Sequence, residues 1–221
     1  MNERYKDIKV IGFDLDQTLY PKMPEIDEEI QRHLYKKIAE HRFCSLEEAK
    51  ELFFKLYKDL GSGSRVLMSL KVPHARDIVQ EALEKSDIAQ YLKPNQELND
   101  LLVSLRKKYE YLALITGSSL QIAFEKLKVL QINPESFHLI ITGEVSKSNG
   151  DAYKHWLAFY QEKDSSLKPE NFLYIGDRKI VDVDIPQSLG IKAVLVNIKE
   201  VDMTINADQF YKVTDIKNIF L

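Results

Sequence analysis

Cysteine is almost missing from this sequence. Cys44 is the single one among 221 residues, so no disulfide can form within the chain. A lone thiol in a helix-rich stretch reads as packing, and the composition fits a reducing compartment. Long hydrophobic runs are missing too: none approaches the roughly 20 apolar residues that cross a bilayer. Nor is there a surplus of one charge. Lys+Arg total 31 and Asp+Glu 34, a formal net charge of -3, which gives no reason to expect nucleic acid or an anionic membrane as partner. The stretch from Met1 to Asp7 is polar and lacks the apolar centre of a signal peptide, so a cytoplasmic location is the expectation. No repeat or low-complexity segment stands out. Hydrophobic content of 44% and charged content of 29% are ordinary for a globular protein. The length suits one large domain, or a core with a smaller insertion.

What is there begins with Val10-Ile11-Gly12-Phe13-Asp14-Leu15-Asp16-Gln17-Thr18-Leu19. A short apolar run, Lys9 to Phe13, reads as a buried parallel strand. It delivers Asp14 and Asp16 to its carboxyl end, where open α/β sheets place their ligands. Two like charges at 4 Å repel by roughly 4 kcal/mol at an effective dielectric of 20. Such a pair calls for a cation, a shared proton or exposure to water.

Pro21 and Pro24 then mark a boundary. Ile26, Ile30, Leu34 and Ile38 form a helical stripe. Ser45 and Glu48 form a capping box ahead of Ala49, Leu52, Phe53, Leu56 and Tyr57. Gly61-Ser62-Gly63-Ser64 interrupts, and helical spacing resumes at Arg65 and again after Pro73. No strand pattern appears between Pro24 and Tyr91, so residues 21–91 read as an all-helical cap domain, with 1–20 and 92–221 as the core. In the core a helix from Pro94 precedes a strand at Tyr111–Ile115. A helix over Ser119–Leu130, a strand at Leu139–Ile141 and a helix over Gly150–Lys163 follow. Further strands are read at Phe172–Ile175 and Ala193–Val196, with a short edge strand near Phe210–Val213 and Asp215 capping a last helix. The alternation predicts a doubly wound parallel sheet, class α/β.

Asp14, Asp16, Thr116 and Asp177 each follow an apolar run and are expected to converge on one crevice, with Asp182 as a further acid. Oxygen ligands without His or Cys select a hard ion, and Mg²⁺ is the expected one. The Thr116 hydroxyl, the Gly117 and Ser118 backbone N–H groups at a helix start, and Lys147 all suit phosphoryl oxygens. A carboxylate in such a pocket is able to attack phosphorus and form an aspartyl-phosphate.

Four stretches, in order, are similar to the signature of the haloacid dehalogenase-like hydrolases: Asp14-Leu15-Asp16-Gln17-Thr18, Ile115-Thr116-Gly117, Lys147, and Gly176-Asp177 followed by Asp182. The resemblance implies Asp14 as nucleophile and Asp16 as general acid and then base. It implies Mg²⁺ held by Asp14, Asp177 and the Asp16 carbonyl, and Asp182 orienting metal-bound water or Lys147. Thr116 and Lys147 would bind phosphate, and Thr18 would fix the loop after the nucleophile. Family members usually have proline after this lysine; here Ser148 follows, and Lys154 is the alternative. Dehalogenases of the family lack the second acid, so Asp16 points to phosphoryl chemistry on a small phosphate ester. A cap inserted after the first motif matches the helical-cap subgroup. Phe13 to Pro21, and more loosely Tyr57 to Arg65, resemble the pyrimidine 5′-nucleotidase-like members, which implies a nucleoside 5′-monophosphate with Arg65 as a substrate contact. A sugar-phosphate mutase and a non-catalytic binding module on the same fold remain alternatives. The oligomeric state is open.

Overall fold

The computed structural model describes residues 3–85 and 90–220. They fall into two compact units, Met1–Lys22 with Leu92–Leu221, and Met23–Tyr91.

In the first unit, β1 (Val10–Phe13) is buried at every residue. The second unit, which interrupts the chain between β1 and the next strand, has helices and connecting turns and no strand among its described residues. It contains α1 (Pro24–Arg42), α2 (Leu46–Leu60), α3 (Gly63–Ser69) and α4 (Ala75–Lys85). Pro24 opens α1, where its missing N–H costs nothing. The capping box at α2 is present: Ser45 Oγ accepts from the Glu48 N–H, and the Glu48 carboxylate accepts from the Ser45 N–H. Leu34, Tyr35, Ile38, Ala49, Phe53, Val66 and Leu67 form the unit's own apolar centre.

The first unit then resumes with α5 (Gln96–Lys108), β2 (Tyr111–Ile115), α6 (Leu120–Val129), β3 (Leu139–Ile141), α7 (Asp151–Lys163) and β4 (Phe172–Gly176). A π-helical turn over Lys179–Asp184, α8 (Ile185–Ser188), β5 (Lys192–Leu195), β6 (Asp208–Gln209) and α9 (Lys217–Phe220) complete it. All strand pairs are parallel, in the order β3-β2-β1-β4-β5-β6. The doubly wound sheet read from the sequence is therefore present. The order reverses at β1, whose neighbours are β2 and β4, so the topological switch point lies beside the carboxyl end of β1.

Below one face of the sheet, Tyr153, Trp156 and Tyr160 of α7 pack with Val10, Ala113, Phe172 and Tyr174. Gly12 has its reason here. A Cβ at that position would meet the Trp156 ring at 2.8 Å, so the strand must be bare where the indole crosses it.

Two terminal assignments need correction. The edge strand lies at Asp208–Gln209, ahead of Phe210–Val213. Its register partners are Val194 and Leu195, and the hydrogen bonding continues at Phe210, whose N–H donates to the Leu195 carbonyl at 2.9 Å. Asp215 is not an N-cap. It sits inside a 3₁₀ turn, Val213–Ile216, and its carboxylate reaches back to the Lys212 N–H at 3.1 Å. The helix foreseen from Pro94 starts two residues later, because the Asn95 side chain accepts from the Leu98 N–H and caps it.

Candidate active site

Asp14 is the first residue beyond β1. Its N–H donates to the Ile175 carbonyl at 2.8 Å, which continues the pairing with β4. One carboxylate oxygen accepts the Leu15 N–H at 2.9 Å. The same oxygen lies 2.8 Å from Lys147 Nζ, and Lys147 Nζ lies 2.8 Å from Asp182 Oδ1. All three side chains are buried, with exposures of 2%, 3% and 0%. Lys147 is thus a buried cation bridging two carboxylates. Lys154, the alternative, is exposed in α7 and pairs with Asp151.

Asp182 is brought in by the π-helical turn. Gly176 makes room for it: a Cβ there would lie 2.4 Å from the Asp182 Cβ. Both Asp182 oxygens already have donors, Lys147 and the Tyr153 hydroxyl on one, the Arg178 N–H and guanidinium on the other. Burial alone would raise its pKa, but Lys147 and Arg178 outweigh that and hold it below the usual range. Asp182, expected as a further acid at the metal, makes these contacts while one of its oxygens lies with those of Asp14 and Asp177.

Asp16 has a different set of partners. Tyr20 Oη donates to Oδ1 at 2.7 Å, and Ser118 Oγ and Thr116 Oγ1 reach Oδ2 at 2.9 and 3.4 Å. Lys126 Nζ, from α6, lies 2.5 Å from Oδ1. Burial pushes Asp16 up, but the Lys126 charge and the hydrogen bonds from Lys126, Tyr20 and Ser118 prevail and bring it to about 2. Thr116, after β2, is pinned by its N–H to the Ile141 carbonyl at 2.9 Å. Its hydroxyl accepts the Ser118 N–H at 3.1 Å. That N–H, foreseen as a phosphate donor, is therefore engaged, and Ser118 acts on Asp16 through its hydroxyl. At Gly117, whose N–H was the other expected phosphate donor, nothing lies within 4 Å of the space a Cβ would take.

Asp177, after β4, completes the carboxylate cluster. Ligand oxygens of Asp14, Asp177 and Asp182 all lie within 4.8 Å of one another. Burial raises Asp177 to about 7, with Asp182 adding to the rise, and burial raises Asp14 to about 6 against the pull of Lys147. Lys22 Nζ lies 3.3 Å from Asp177 Oδ2, and Arg178 lies 3.8 Å from Asp14 Oδ2. The donor set is carboxylate oxygen throughout, and acids held this high still lack a full counter-charge. Both properties fit a hard divalent cation such as Mg²⁺ at Asp14 and Asp177.

Thr18 is fully buried, but the loop after Asp16 is held from another element. Asn197, following β5, aims its amide at the carbonyls of Gln17, Thr18 and Tyr20, at 2.7, 3.1 and 3.2 Å. Arg65 belongs to the helical unit, as the third residue of α3. The glycines before it are explained within that unit: Gly61 ends α2 at φ 64, and Gly63 leaves space for Leu34, which a Cβ would meet at 2.7 Å. Sequence reading overlooked Lys126, Asn197, Lys22 and Arg178. A lysine on the apolar side of an amphipathic helix was the available signal for Lys126, and Arg178 directly follows Asp177. Nothing local marked Asn197.

A family model described as haloacid dehalogenase-like hydrolase matches residues 8–190. A glyceraldehyde 3-phosphate phosphatase of Methanocaldococcus jannaschii is 30% identical over 207 residues, covering 86% of this chain and 85% of that protein. Phosphate metabolism protein 8 of Saccharomyces cerevisiae is 30% identical over 132 residues, 56% of this chain and 40% of its own length. A haloacid dehalogenase-like hydrolase of Streptococcus pneumoniae shares the fold at a TM-score of 0.65 and 17% identity, over 97% of this chain and 99% of that one. With its switch-point carboxylates and bridging lysine, the chain belongs to the haloacid dehalogenase-like hydrolase family, as an enzyme whose relatives include named phosphatases.

Proposed function

We propose that this enzyme hydrolyses small phosphate monoesters through a phosphorylated Asp14, with Mg²⁺ as cofactor. The observation that carries the reading is Lys147, buried and shared between Asp14 and Asp182 at 2.8 Å. It holds the nucleophile in one orientation and supplies positive charge where phosphoryl oxygens would lie. Mg²⁺ held by the carboxylates of Asp14 and Asp177, with the Asp16 carbonyl, would neutralise charge on the phosphoryl group.

The steps assigned to the chain's own residues are these. An Asp14 oxygen forms a bond to phosphorus as the ester P–O bond breaks. Asp16 gives a proton to the leaving oxygen, then takes one from the water that attacks the aspartyl-phosphate, and inorganic phosphate leaves. At rest Asp16 is held ionised by Lys126 and its other donors, the form that accepts a proton. In the first half, the negative phosphoryl group beside it raises its proton affinity. Gly117 and Thr116 line the phosphate side.

For the substrate, the Methanocaldococcus jannaschii relative is named for a triose phosphate, which supports a small sugar phosphate. The nucleoside 5′-monophosphate reading rests on the match at Phe13 to Pro21 and the looser one around Arg65, where Gly63 already has a packing role against Leu34. The test is phosphate release across sugar phosphates and nucleoside monophosphates with Mg²⁺, repeated with EDTA and with Asp14→Asn. Release that stops in both controls supports the reading; release that survives Asp14→Asn rejects Asp14 as nucleophile. Phosphate exchange between substrate positions without net release would identify a mutase instead.

A further inference from the structure

Lys126 is 2% exposed, in the middle of α6. Its Nζ reaches Asp16 Oδ1 at 2.5 Å and Ser118 Oγ at 2.9 Å. A lysine is almost never buried this deeply unless it is paired, and the apolar side of α6 would be filled as well by leucine or methionine. The ammonium therefore has a task at Asp16. Tyr20, Ser118 and Thr116 are neutral donors to that carboxylate, and Lys126 is the cation in direct contact with it. Both carboxylate oxygens carry donors, Lys126 and Tyr20 on Oδ1 and Ser118 and Thr116 on Oδ2, while the side chain is still 27% exposed.

We propose that Lys126 is a positioning residue: it fixes the direction of the Asp16 carboxylate toward the oxygen with which it exchanges a proton. The inference rests on the reading of Asp16 given above. Two lysines then divide the two aspartates of the first motif, Lys147 on Asp14 and Lys126 on Asp16. The terminal torsion of a carboxylate is broad and intrinsically unfixed, and a misplacement of about 1 Å in a reacting group costs about 10²-fold in rate. An ion pair to a buried, helix-anchored ammonium is a strong restraint against that.

The experiment is a double-mutant cycle of Lys126→Met and Asp16→Ala, read in kcat and KM on an aryl phosphate with Mg²⁺. Acting through Asp16, Lys126→Met lowers kcat about 30- to 100-fold with KM within about 3-fold. In the Asp16→Ala background it removes less than about 3-fold more. Equal losses in both backgrounds, or no loss in the wild-type background, overturn the proposal. A crystal structure of Lys126→Met gives a readout independent of turnover. The Asp16 carboxylate leaves Ser118 Oγ in the expected outcome, and an unmoved carboxylate contradicts it. Lys126→Gln replaces the methionine variant if that one does not fold. Failure of the underlying reading appears separately, as wild-type protein and Asp14→Asn behaving alike.

Discussion

Replacing Lys147 with methionine removes one positive charge and little volume. Its ammonium lies 2.8 Å from both Asp14 and Asp182. At an effective dielectric of 20, each such contact is worth about 6 kcal/mol of Coulomb attraction. Desolvation of the three buried ions takes back much of that sum. What the variant exposes is the remainder, two buried carboxylates facing each other with their shared cation gone. Breaking a buried pair in this way costs about 3–5 kcal/mol. At about 2–4 °C per kcal/mol for a chain of this size, the melting temperature of the sheet-containing unit falls by roughly 6–20 °C.

The pH dependence has a definite sign. In the parent, Lys147 favours the ionised forms of Asp14 and Asp182. Without it their pKa values rise, so the deficit is full at neutral pH and shrinks on acidification as both carboxyls take up protons. The assay is thermal unfolding monitored by circular dichroism at several pH values in EDTA, with Lys154→Met as control. Lys154 is exposed and pairs across one helical turn with Asp151, so its replacement should change stability by less than about 0.5 kcal/mol. A Lys147→Met protein within about 1 kcal/mol of the parent, or one whose deficit grows on acidification, would refute the bridging geometry.

Further outcomes follow from the same geometry. Asn197→Ala frees the carbonyls of Gln17, Thr18 and Tyr20. A loss of about 1–3 kcal/mol in stability and about 10-fold or more in kcat is expected; full activity would leave Asn197 as mere packing. Mg²⁺ should raise the melting temperature more at pH 8 than at pH 5. Asp14 and Asp177 are raised from 3.8 to about 6 and about 7, so metal-free protein loses stability as pH rises through that window. Bound cation relieves that loss, and protons compete with it below. A shift that is flat with pH, followed by differential scanning fluorimetry, would place the ion elsewhere.

The sheet was legible because a buried parallel strand writes itself as a continuous apolar run, as in Phe13-Gly12-Ile11-Val10 read back from Asp14, or Phe172 to Gly176. The residues at strand ends came with it, since topology carries Asp14, Thr116 and Asp177 to one crevice. Gly12 and Gly63 were opaque, because the Trp156 ring and the Leu34 methyl that require them are contributed by other helices. Lys126, 110 positions from Asp16, and Asn197, 180 positions from Gln17, were opaque for the same reason: a side chain that serves a distant segment leaves no local periodicity. β6 was misplaced because a strand this short is defined by its partner and not by its own pattern.

The central claim is that Asp14 itself takes the phosphoryl group. The direct measurement is an acid quench of the enzyme during turnover of a phosphate-radiolabelled ester in Mg²⁺, followed by peptide mapping. The account predicts acid-stable, alkali-labile label on the peptide carrying Asp14, and none in the Asp14→Asn protein. Turnover with no protein-bound label at any quench time, or label on a different residue, contradicts it.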